Sequence, residues 1–347
     1  MRAAVFEGVE HIAVRNLPDP KAGPGDVVVK VEACGLCGSD IRNYHGGLRG
    51  GVTGQVMGHE IAGSVVETGP GVERYRVGDR VAVAPDVSCG SCFYCRRGWV
   101  NLCVDHRMIG THWPGGFAEY LYLPPVILAH GMVHHLPDGL SFDHAALSEP
   151  ASSVLAAQEN AGVGLRDTVL VIGDGPIGCL HLEVARARGA ARVIMVGLAR
   201  LEQAGPFRPD YLIDAARQDP VAEVKRVTQG LGADVAIVAT AVAKTQAQAV
   251  EAVRKRGRVI LFGGLPKNDP STTLNANLVH YGEISVVGAF SYPAWMHQRA
   301  LEVIASGRID ASKYFNLTVG LDGIVEGIQA AESGRALKVL VKPWQKQ

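Results

Sequence analysis

The sequence predicts an α/β protein of two domains, a mostly β region followed by a doubly wound parallel sheet. The chain has 347 residues, about twice the length of a typical single domain. From Ala3 to about Pro137, β-branched runs such as "DVVVKVEA" and "DRVAVAP" are separated by Gly, Pro and Asp turns. After Glu149, strands such as "DTVLVIG" and "RVIMVG" alternate with helical segments, which indicates βαβ units and a sheet covered on both faces.

Composition and charge favour a small neutral ligand over nucleic acid or a membrane. The 34 basic residues balance 34 acidic ones, so no net charge draws the surface toward a polyanion. The N-terminal stretch "MRAAVFEGVEHIAVRN" interrupts its apolar residues with charges, and no apolar run reaches the length of a membrane span. We therefore expect a soluble, cytoplasmic protein that binds neither nucleic acid nor a membrane.

Four of the seven cysteines lie in one stretch, "CGSCFYCRRGWVNLC". In a reducing compartment, clustered thiols suggest a metal more than a disulfide. The spacing C-x2-C-x2-C-x7-C lets one loop wrap four sulfurs around a zinc ion and leaves no position for substrate. An iron–sulfur cluster and a nucleic-acid-binding zinc ribbon are the alternatives, which the lack of other redox-cluster features and the neutral charge disfavour. The predicted structural zinc ligands are Cys89, Cys92, Cys95 and Cys103.

The segments "CGLCGSD" and "MGHE" predict a second metal site. Cys37, His59 and Glu60 offer a thiolate, an imidazole and a carboxylate from loops beside β-rich segments. Such a set leaves a fourth zinc position open for a substrate oxygen. Glu149, in "LSEPASSV", lies directly before the apparent domain junction, where a ligand can close the site. A lone His or Glu is more often structural or solvated than a ligand.

The run "VLVIGDGPIG" predicts a dinucleotide site. A buried strand leads into glycines in G-x-G-x-x-G spacing at the start of a helix, and a second strand ends at the expected distance. The glycines permit a tight turn and close approach of a pyrophosphate to the helix N-terminus. A purely structural βα turn is the alternative. The predicted cofactor-binding residues here are Gly173, Gly175, Pro176, Ile177 and Gly178.

The end of the second strand bears on the choice between NAD and NADP. An acidic residue there would bind the adenosine ribose of NAD, but this strand ends in Gly197. A glycine leaves room and removes a negative charge, and Arg200 is placed to meet a 2′-phosphate. NADP is thus at least as well favoured as NAD, the alternative being that Arg200 is a solvated helix residue.

Taken together, these motifs resemble the zinc-containing medium-chain dehydrogenases, and within them the sorbitol and related polyol dehydrogenase branch. The resemblance runs along nearly the whole chain. It implies a GroES-like β-rich catalytic domain (1–153 and 290–347) around an inserted Rossmann domain (154–289), with the active site in the cleft between them. The motifs that carry it, in family order, are "CGLCGSD", "GHEIAGSVVETGPGVERYRVGDRV", the four-cysteine loop, "GGFAEY", "LSEP" and "GDGPIG".

The resemblance also implies roles for single residues. Cys37 and His59 match the catalytic zinc ligands, and Glu149 falls where the polyol branch has a glutamate. Glu60 matches a carboxylate that lies behind the zinc ligands or exchanges with one of them, and Ser39 matches the hydroxyl that accepts the substrate proton.

Two positions depart from the family pattern. The family carries a relay histidine five residues after the first cysteine, and this chain has Arg42 there, which stays protonated and cannot act as a base. The relay then ends in water or in a group such as His45. The polyol branch often has an Arg-Tyr pair in its tail, and this chain keeps Tyr292 but places Ser291 before it, so the substrate need not be sorbitol.

The implied activity is hydride transfer between a secondary alcohol and NAD(P), with zinc holding the alcohol oxygen. The substrate class is a polyol, sugar alcohol or cyclitol and the corresponding ketone, and the family implies a homotetramer or homodimer. The alternatives are a threonine-type or simple alcohol dehydrogenase, or a non-catalytic nucleotide-binding member of the fold. The intact set of Cys37, Ser39, His59 and Glu149 argues against the non-catalytic alternative.

Overall fold

The computed structural model describes residues 1–48 and 50–345, which form two compact units. The sequence predicts domain boundaries after residues 153 and 289. The structure differs at residues 308–313, which group with the second unit, where Lys313 Nζ lies 3.2 Å from Glu183 Oε1. The first unit comprises residues 1–152, 292–307 and 314 onward, and the second comprises residues 153–291 and 308–313.

Strands predominate in the first part of the chain, and strands alternate with helices from Thr168 onward. The strands are β1 (Arg2–Gly8), β2 (His11–Asn16), β3 (Val27–Leu36), β4 (Gln55–Val56), β5 (Glu60–Thr68), β6 (Arg80–Ala84), β7 (Asp86–Val87), β8 (Arg107–Met108), β9 (Tyr120–Leu123), β10 (Met132–His135), β11 (Thr168–Ile172), β12 (Arg192–Gly197), β13 (Tyr211–Asp214), β14 (Ala233–Val238), β15 (Val253–Leu261), β16 (Ser285–Gly288), β17 (Phe315–Val319) and β18 (Lys338–Val341). The helices are α1 (Gly38–Gly46), α2 (Pro125–His130), α3 (Phe142–Ala145), α4 (Ser148–Asn160), α5 (Pro176–Ala187), α6 (Leu201–Ala204), α7 (Pro220–Val227), α8 (Ala243–Ala252), α9 (Ala276–Gly282), α10 (Ala294–Ala305) and α11 (Ile324–Glu332).

The main sheet of the first unit is organised around β3. Its strand order is β10-β6-β5-β3-β18-β17, and β9 also pairs with β3. β3 is buried along most of its length because strands flank it on both sides, which explains its nearly continuous apolar run. β18 pairs antiparallel with β3, so the end of the chain completes a sheet that begins near its start.

The second unit contains a parallel sheet in the order β13-β12-β11-β14-β15-β16. The consecutive buried residues of β11 and β12 show that both faces of the sheet are covered. β11 lies at the centre, and the chain moves outward from it first on one side and later on the other. In such sheets the crevice at the carboxyl ends of the strands, where the order reverses, is the ligand-binding position, and Gly173 directly follows β11.

The predicted α/β class, with a β-rich unit and a parallel-sheet unit, is confirmed. None of the helices in residues 1–48 and 50–345 combines the length and apolar character needed to cross a membrane.

Buried His181 makes the stability of the second unit sensitive to acid. Its side chain is fully buried on α5, where Gln158 Nε2 lies 3.2 Å from its Nδ1, and burial lowers its pKa to about 3. The native state therefore favours the neutral ring, whereas an unfolded histidine titrates near about 6.5. The stabilisation is complete above the unfolded pKa and is lost as the pH falls from there toward the folded pKa.

Replacing His181 by Asn keeps an acceptor at the Nδ1 position and removes the titration. We expect wild type to lose about 2 kcal/mol more unfolding free energy than His181→Asn between about pH 7.5 and about pH 5. Urea unfolding of both proteins at the two pH values measures the difference. An equal loss in both would mean that His181 does not remain neutral in the folded protein.

Candidate active site and metal centres

Adjacent strands bring the predicted catalytic ligands together. Cys37 directly follows β3 and is the N-cap of α1, while Glu60 is the first residue of β5, paired opposite Gly35 of β3. His59 precedes Glu60 in the chain. Donor atoms of Cys37, His59 and Glu60 all lie within 4.8 Å of one another.

His59 lies between a carboxylate and a hydroxyl. Its Nδ1 is 3.4 Å from Asp40 Oδ1, and its Nε2 is 3.3 Å from Ser39 Oγ. Asp40 also accepts the backbone N–H of Cys37 through Oδ2 at 2.9 Å, so one buried carboxylate orients both candidate ligands. Burial opposes a charged ring, but Asp40 and then Cys37 outweigh it and raise the pKa of His59 well above its usual value. A site this anionic favours a cation, and an imidazole backed by a carboxylate is the usual environment of a zinc-ligating histidine.

Glu149, in the first turn of α4, belongs to the same electrostatic neighbourhood. Burial raises its pKa to about 7; by smaller amounts, the nearby His59 lowers this pKa and Glu60 raises it. Tyr292 is fully buried and donates its hydroxyl to Glu149 Oε1 at 2.9 Å. Glu149 lies outside the cluster of Cys37, His59 and Glu60, whose donor atoms are all within 4.8 Å of one another.

Glu60 pairs with a lysine from the end of the chain. Lys338, the first residue of β18, places Nζ 2.8 Å from Oε1 and 2.7 Å from Oε2 of Glu60, and donates to the Leu36 carbonyl at 3.3 Å. Both side chains are buried. Burial opposes the charged amine, but Glu60 and then Cys37 outweigh it and raise the pKa of Lys338, so the ammonium persists. The ammonium therefore balances the charge of the one carboxylate in the cluster of Cys37, His59 and Glu60.

Removing the lysine should destabilise the first unit strongly. We expect Lys338→Met to lower the free energy of unfolding by about 3 kcal/mol, because it leaves the Glu60 carboxylate buried without its counter-charge. Urea unfolding measures the change. The double variant with Glu60→Gln should recover much of the loss, since a buried pair replaced by neutral groups is often close to neutral in stability.

Lys342, which follows the same strand, provides the matched control. Its Nζ pairs with Asp143 Oδ2 at 2.8 Å, but both side chains are more than a third exposed. We expect Lys342→Met to cost less than about 1 kcal/mol, as is typical of surface ion pairs. Equal losses in the two methionine variants would contradict the importance of the buried pair.

The four cysteines of the loop after β7 form the second candidate metal cluster. All four sulfurs lie within 4.8 Å of one another, with Cys92 Sγ 3.5 Å and Cys89 Sγ 3.9 Å from Cys95 Sγ. Four sulfurs bound tetrahedrally to one zinc at about 2.3 Å would be about 3.8 Å apart. The observed spacing therefore fits a zinc ion held by Cys89, Cys92, Cys95 and Cys103.

The protonation chemistry of these thiols fits the same ion. Backbone N–H groups of Ser91 and Cys92 lower the pKa of Cys89 to about 6, which favours the thiolate, the form that binds metal. Burial raises the pKa of Cys103 to about 12, so its sulfur ionises only with a cation beside it. The structure describes all seven cysteines, and every one of them is a free thiol.

The glycine turn after β11 has the shape that a pyrophosphate requires. A Cβ at Gly178 would lie 1.9 Å from the Gly173 carbonyl oxygen, so only glycine allows α5 to approach the strand this closely. A Cβ at Gly175 would meet no described atom within 4 Å, which leaves the turn open where α5 begins. Pro176 and Ile177 begin the first turn of α5. Pro176 has no backbone N–H, so the N–H groups available to an anion start at Ile177.

At the end of β12 the sequence interpretation needs correction. The room predicted at Gly197 is absent, because a Cβ there would lie 2.7 Å from Asp174 Oδ2 and 2.6 Å from Leu201 Cδ2. A negative charge is nevertheless present at the end of β12, because Asp174 places its carboxylate there. Backbone N–H groups of Leu198, Ala199 and Arg200 donate to Asp174 Oδ2 at 2.8, 2.9 and 2.6 Å.

His45 is engaged on both sides of its ring. Its Nδ1 is 2.8 Å from Glu10 Oε1 and its Nε2 is 2.7 Å from Glu332 Oε1. Hydrogen bonds to Glu10 and Glu332 raise the pKa of His45, so the ring holds its proton more tightly than a free histidine does. These contacts disfavour His45 as the acceptor of a proton from Ser39.

Lys338 and Asp174 contact the candidate sites and were not predicted from the sequence. Each of the two residues has a feature in the sequence that could have pointed to it. Lys338 is the first residue of the otherwise apolar strand "KVLV", where a buried cation needs a partner. Asp174 stands between two glycines of the nucleotide motif in a chain that lacks the usual acidic residue at the end of the next strand.

Comparison with known proteins places both units in one family. The model of the alcohol dehydrogenase GroES-like domain matches residues 23–138, and that of the zinc-binding dehydrogenases matches residues 176–306. Sorbitol dehydrogenase of Bacillus subtilis (strain 168) is 32% identical over 351 residues, covering 99% of this chain and 97% of that protein. L-threonine 3-dehydrogenase of Pyrococcus abyssi (strain GE5 / Orsay) is 34% identical over 328 residues, covering 92% of each. A solved structure described as a zinc-binding dehydrogenase from Sinorhizobium meliloti 1021, bound to NADP, has a TM-score of 0.88 and 33% identity and covers 99% of both chains.

These similarities confirm the predicted GroES-like and Rossmann architecture. They also confirm the resemblance to the zinc-containing medium-chain dehydrogenases that the sequence motifs indicated. The zinc and nicotinamide cofactors that the motifs predicted fit the same group of proteins. Because relatives above 30% identity span nearly its full length, the chain belongs to the zinc-containing medium-chain alcohol dehydrogenases, on the branch that includes the sorbitol dehydrogenases.

Proposed function

We propose that this dehydrogenase interconverts a secondary alcohol and a ketone on a polyol, sugar alcohol or cyclitol, with NAD or NADP. The observation that carries the proposal is the cluster of Cys37, His59 and Glu60, with the Ser39 hydroxyl 3.3 Å from His59 Nε2. A thiolate and an imidazole beside a hydroxyl provide two metal ligands and a proton acceptor in one place, and Glu149 can add the third ligand.

In this proposal Cys37, His59 and Glu149 hold the catalytic zinc, and Glu60 stays beside it, paired with Lys338. Both Glu60 oxygens already face the ammonium at 2.7 and 2.8 Å, so its charge is compensated. Tyr292 donates to Glu149 Oε1 and leaves Oε2 to turn toward the metal. When bound, zinc would polarise the substrate oxygen and NAD(P) would accept the hydride.

The protein groups move the proton. Ser39 Oγ accepts the alcohol proton and passes its own proton on. Arg42 stays protonated and His45 is held by two carboxylates, so we propose that the relay from Ser39 ends in water.

A substrate panel tests the proposal. Cofactor reduction is followed by absorbance with NAD and NADP against polyols, cyclitols, threonine and simple secondary alcohols. Turnover that is fastest with one polyol or cyclitol class supports the proposal. Fastest turnover with threonine would favour the threonine-type alternative, consistent with the 34% identical relative. Absence of turnover with every substrate in the panel, in protein shown to contain zinc, would count against catalysis on these substrates.

We also propose a homodimer or homotetramer. β16 is an edge strand of the parallel sheet, and its Val286 is 37% exposed. Tyr281, on the preceding helix α9, is 75% exposed. Exposed apolar side chains at a sheet edge favour pairing with another chain. Light scattering on the purified protein measures the mass, and a monomer would contradict this proposal.

We propose a reducing compartment, the cytoplasm, as the location. Both predicted metal sites need reduced thiols, and reducing compartments keep cysteines in that form.

A further inference from the structure

The carboxylate of Asp174 fills an anion-binding position at the end of β12. Three successive backbone N–H groups, of Leu198, Ala199 and Arg200, converge on its Oδ2 at 2.6 to 2.9 Å. Asp174 itself is only 7% exposed. Successive N–H groups that point at one spot form a concavity that binds anions. Here the protein supplies the anion from its own glycine turn.

Gly197 is the counterpart of this arrangement. A Cβ at position 197 would lie 2.7 Å from Oδ2 and 2.8 Å from Cβ of Asp174. Any side chain there would therefore displace the aspartate. The glycine at the strand end and the aspartate inside the glycine turn are thus one feature, in which the acidic group reaches the same place from a different strand.

Both residues line a cavity of about 400 Å³ at the carboxyl ends of β11 and β12. In a doubly wound sheet this is where the adenosine half of a dinucleotide binds. Asp174 and Asp219 bring two carboxylates to the lining. Among the described residues that line it, Lys244 is the one cation, and Arg200 is not part of the lining.

We propose that Asp174 makes this dehydrogenase select NAD over NADP. The inference deepens the proposed function, because it assumes that the cavity binds the adenosine end of the cofactor. A ribose 2′-hydroxyl can donate a hydrogen bond to a carboxylate, whereas a 2′-phosphate would meet a like charge and find the three N–H donors already occupied. We expect the cavity to favour the ligand without the 2′-phosphate by at least about 100-fold, because a like-charge contact costs several kcal/mol.

Calorimetric titration of the zinc-loaded full chain with AMP and with adenosine 2′,5′-bisphosphate tests this without turnover. Asp174→Asn keeps an oxygen acceptor for the three N–H groups and removes the charge. We expect it to lower the preference for AMP at least about tenfold, since the like-charge penalty disappears. Asp219→Asn is the matched control, because it removes a carboxylate from the same cavity and remains a good N-cap for α7. Its effect on the preference should be much smaller.

The outcomes separate the inference from the function on which it rests. Equal binding of the two ligands by wild type, or tighter binding of the bisphosphate, would overturn the selection by Asp174 and leave the nucleotide site intact. Equal shifts in the two asparagine variants would show that general charge, and not the position of Asp174, sets the preference. Failure of wild type to bind either nucleotide would overturn the inference together with the cofactor site of the proposed function.

Discussion

Replacing Cys37 by Ser should lower kcat/KM by at least about 10³-fold, because a bound metal contributes several kcal/mol of stabilisation to developing charge. The fold should persist. Cys37 is the N-cap of α1, and serine is a favourable residue at that position. Zinc content by elemental analysis should fall by one ion per chain, and the urea midpoint should stay close to that of wild type.

Cys179 is a matched control for this substitution. It is a buried thiol on α5 and lies outside both candidate metal clusters. Cys179→Ala should keep both zinc ions and most of the turnover. Equal activity of Cys37→Ser and wild type would remove Cys37 from the catalytic site.

Replacing Cys95 by Ser should mainly lower the stability of the protein and should not act on catalysis directly. Cys95 Sγ lies within 4 Å of both Cys89 Sγ and Cys92 Sγ, so its loss opens the four-sulfur cluster. We expect the free energy of unfolding to fall by at least about 5 kcal/mol, because structural zinc binding is coupled directly to folding. Chemical unfolding measures the loss, and elemental analysis should show one zinc fewer.

A substitution of Ser91, in the same loop, is the control that separates loss of the metal from a general disturbance of the loop. Ser91→Ala removes an exposed hydroxyl and leaves all four sulfurs, so the change should stay within about 0.5 kcal/mol. Iron in place of zinc in the wild-type protein would favour the iron–sulfur alternative. Unchanged stability of Cys95→Ser would contradict a structural metal in this loop.

The features that the sequence predicted well depend on local patterns. The four-cysteine loop spans fifteen residues, and the glycine turn lies between a strand and a helix that adjoin it in the chain. Hydrophobic patterning of period two, or of buried runs broken by helices, likewise determines each element within a short window. Such patterns require no knowledge of which distant segment packs nearby.

The pairs that tune the site could not be predicted, because they join distant parts of the chain. Lys338 and Glu60 are 278 residues apart and meet only because β18 and β5 both flank β3. Tyr292 and Glu149 are 143 residues apart. A single sequence shows that a buried lysine or tyrosine needs a partner, but it does not identify the partner.

The interpretation of Gly197 failed for a different reason. The sequence motif places an acidic residue at the end of the second strand, and this chain has Gly197 there. The structure shows that a carboxylate reaches this place from Asp174 on the neighbouring turn. Gly197→Asp would therefore force two acidic side chains into one space, and Asp174→Asn probes cofactor choice more cleanly.

The most direct test of zinc-dependent hydride transfer follows the hydrogen itself. A secondary alcohol that turns over in the panel is labelled with deuterium on the carbinol carbon, and the reduced cofactor is examined by mass spectrometry with wild type and with Cys37→Ser. We expect one deuterium in each reduced cofactor molecule formed by wild type, and almost no product from the variant. Unlabelled reduced cofactor, or equal labelled product from both proteins, would contradict the proposed function.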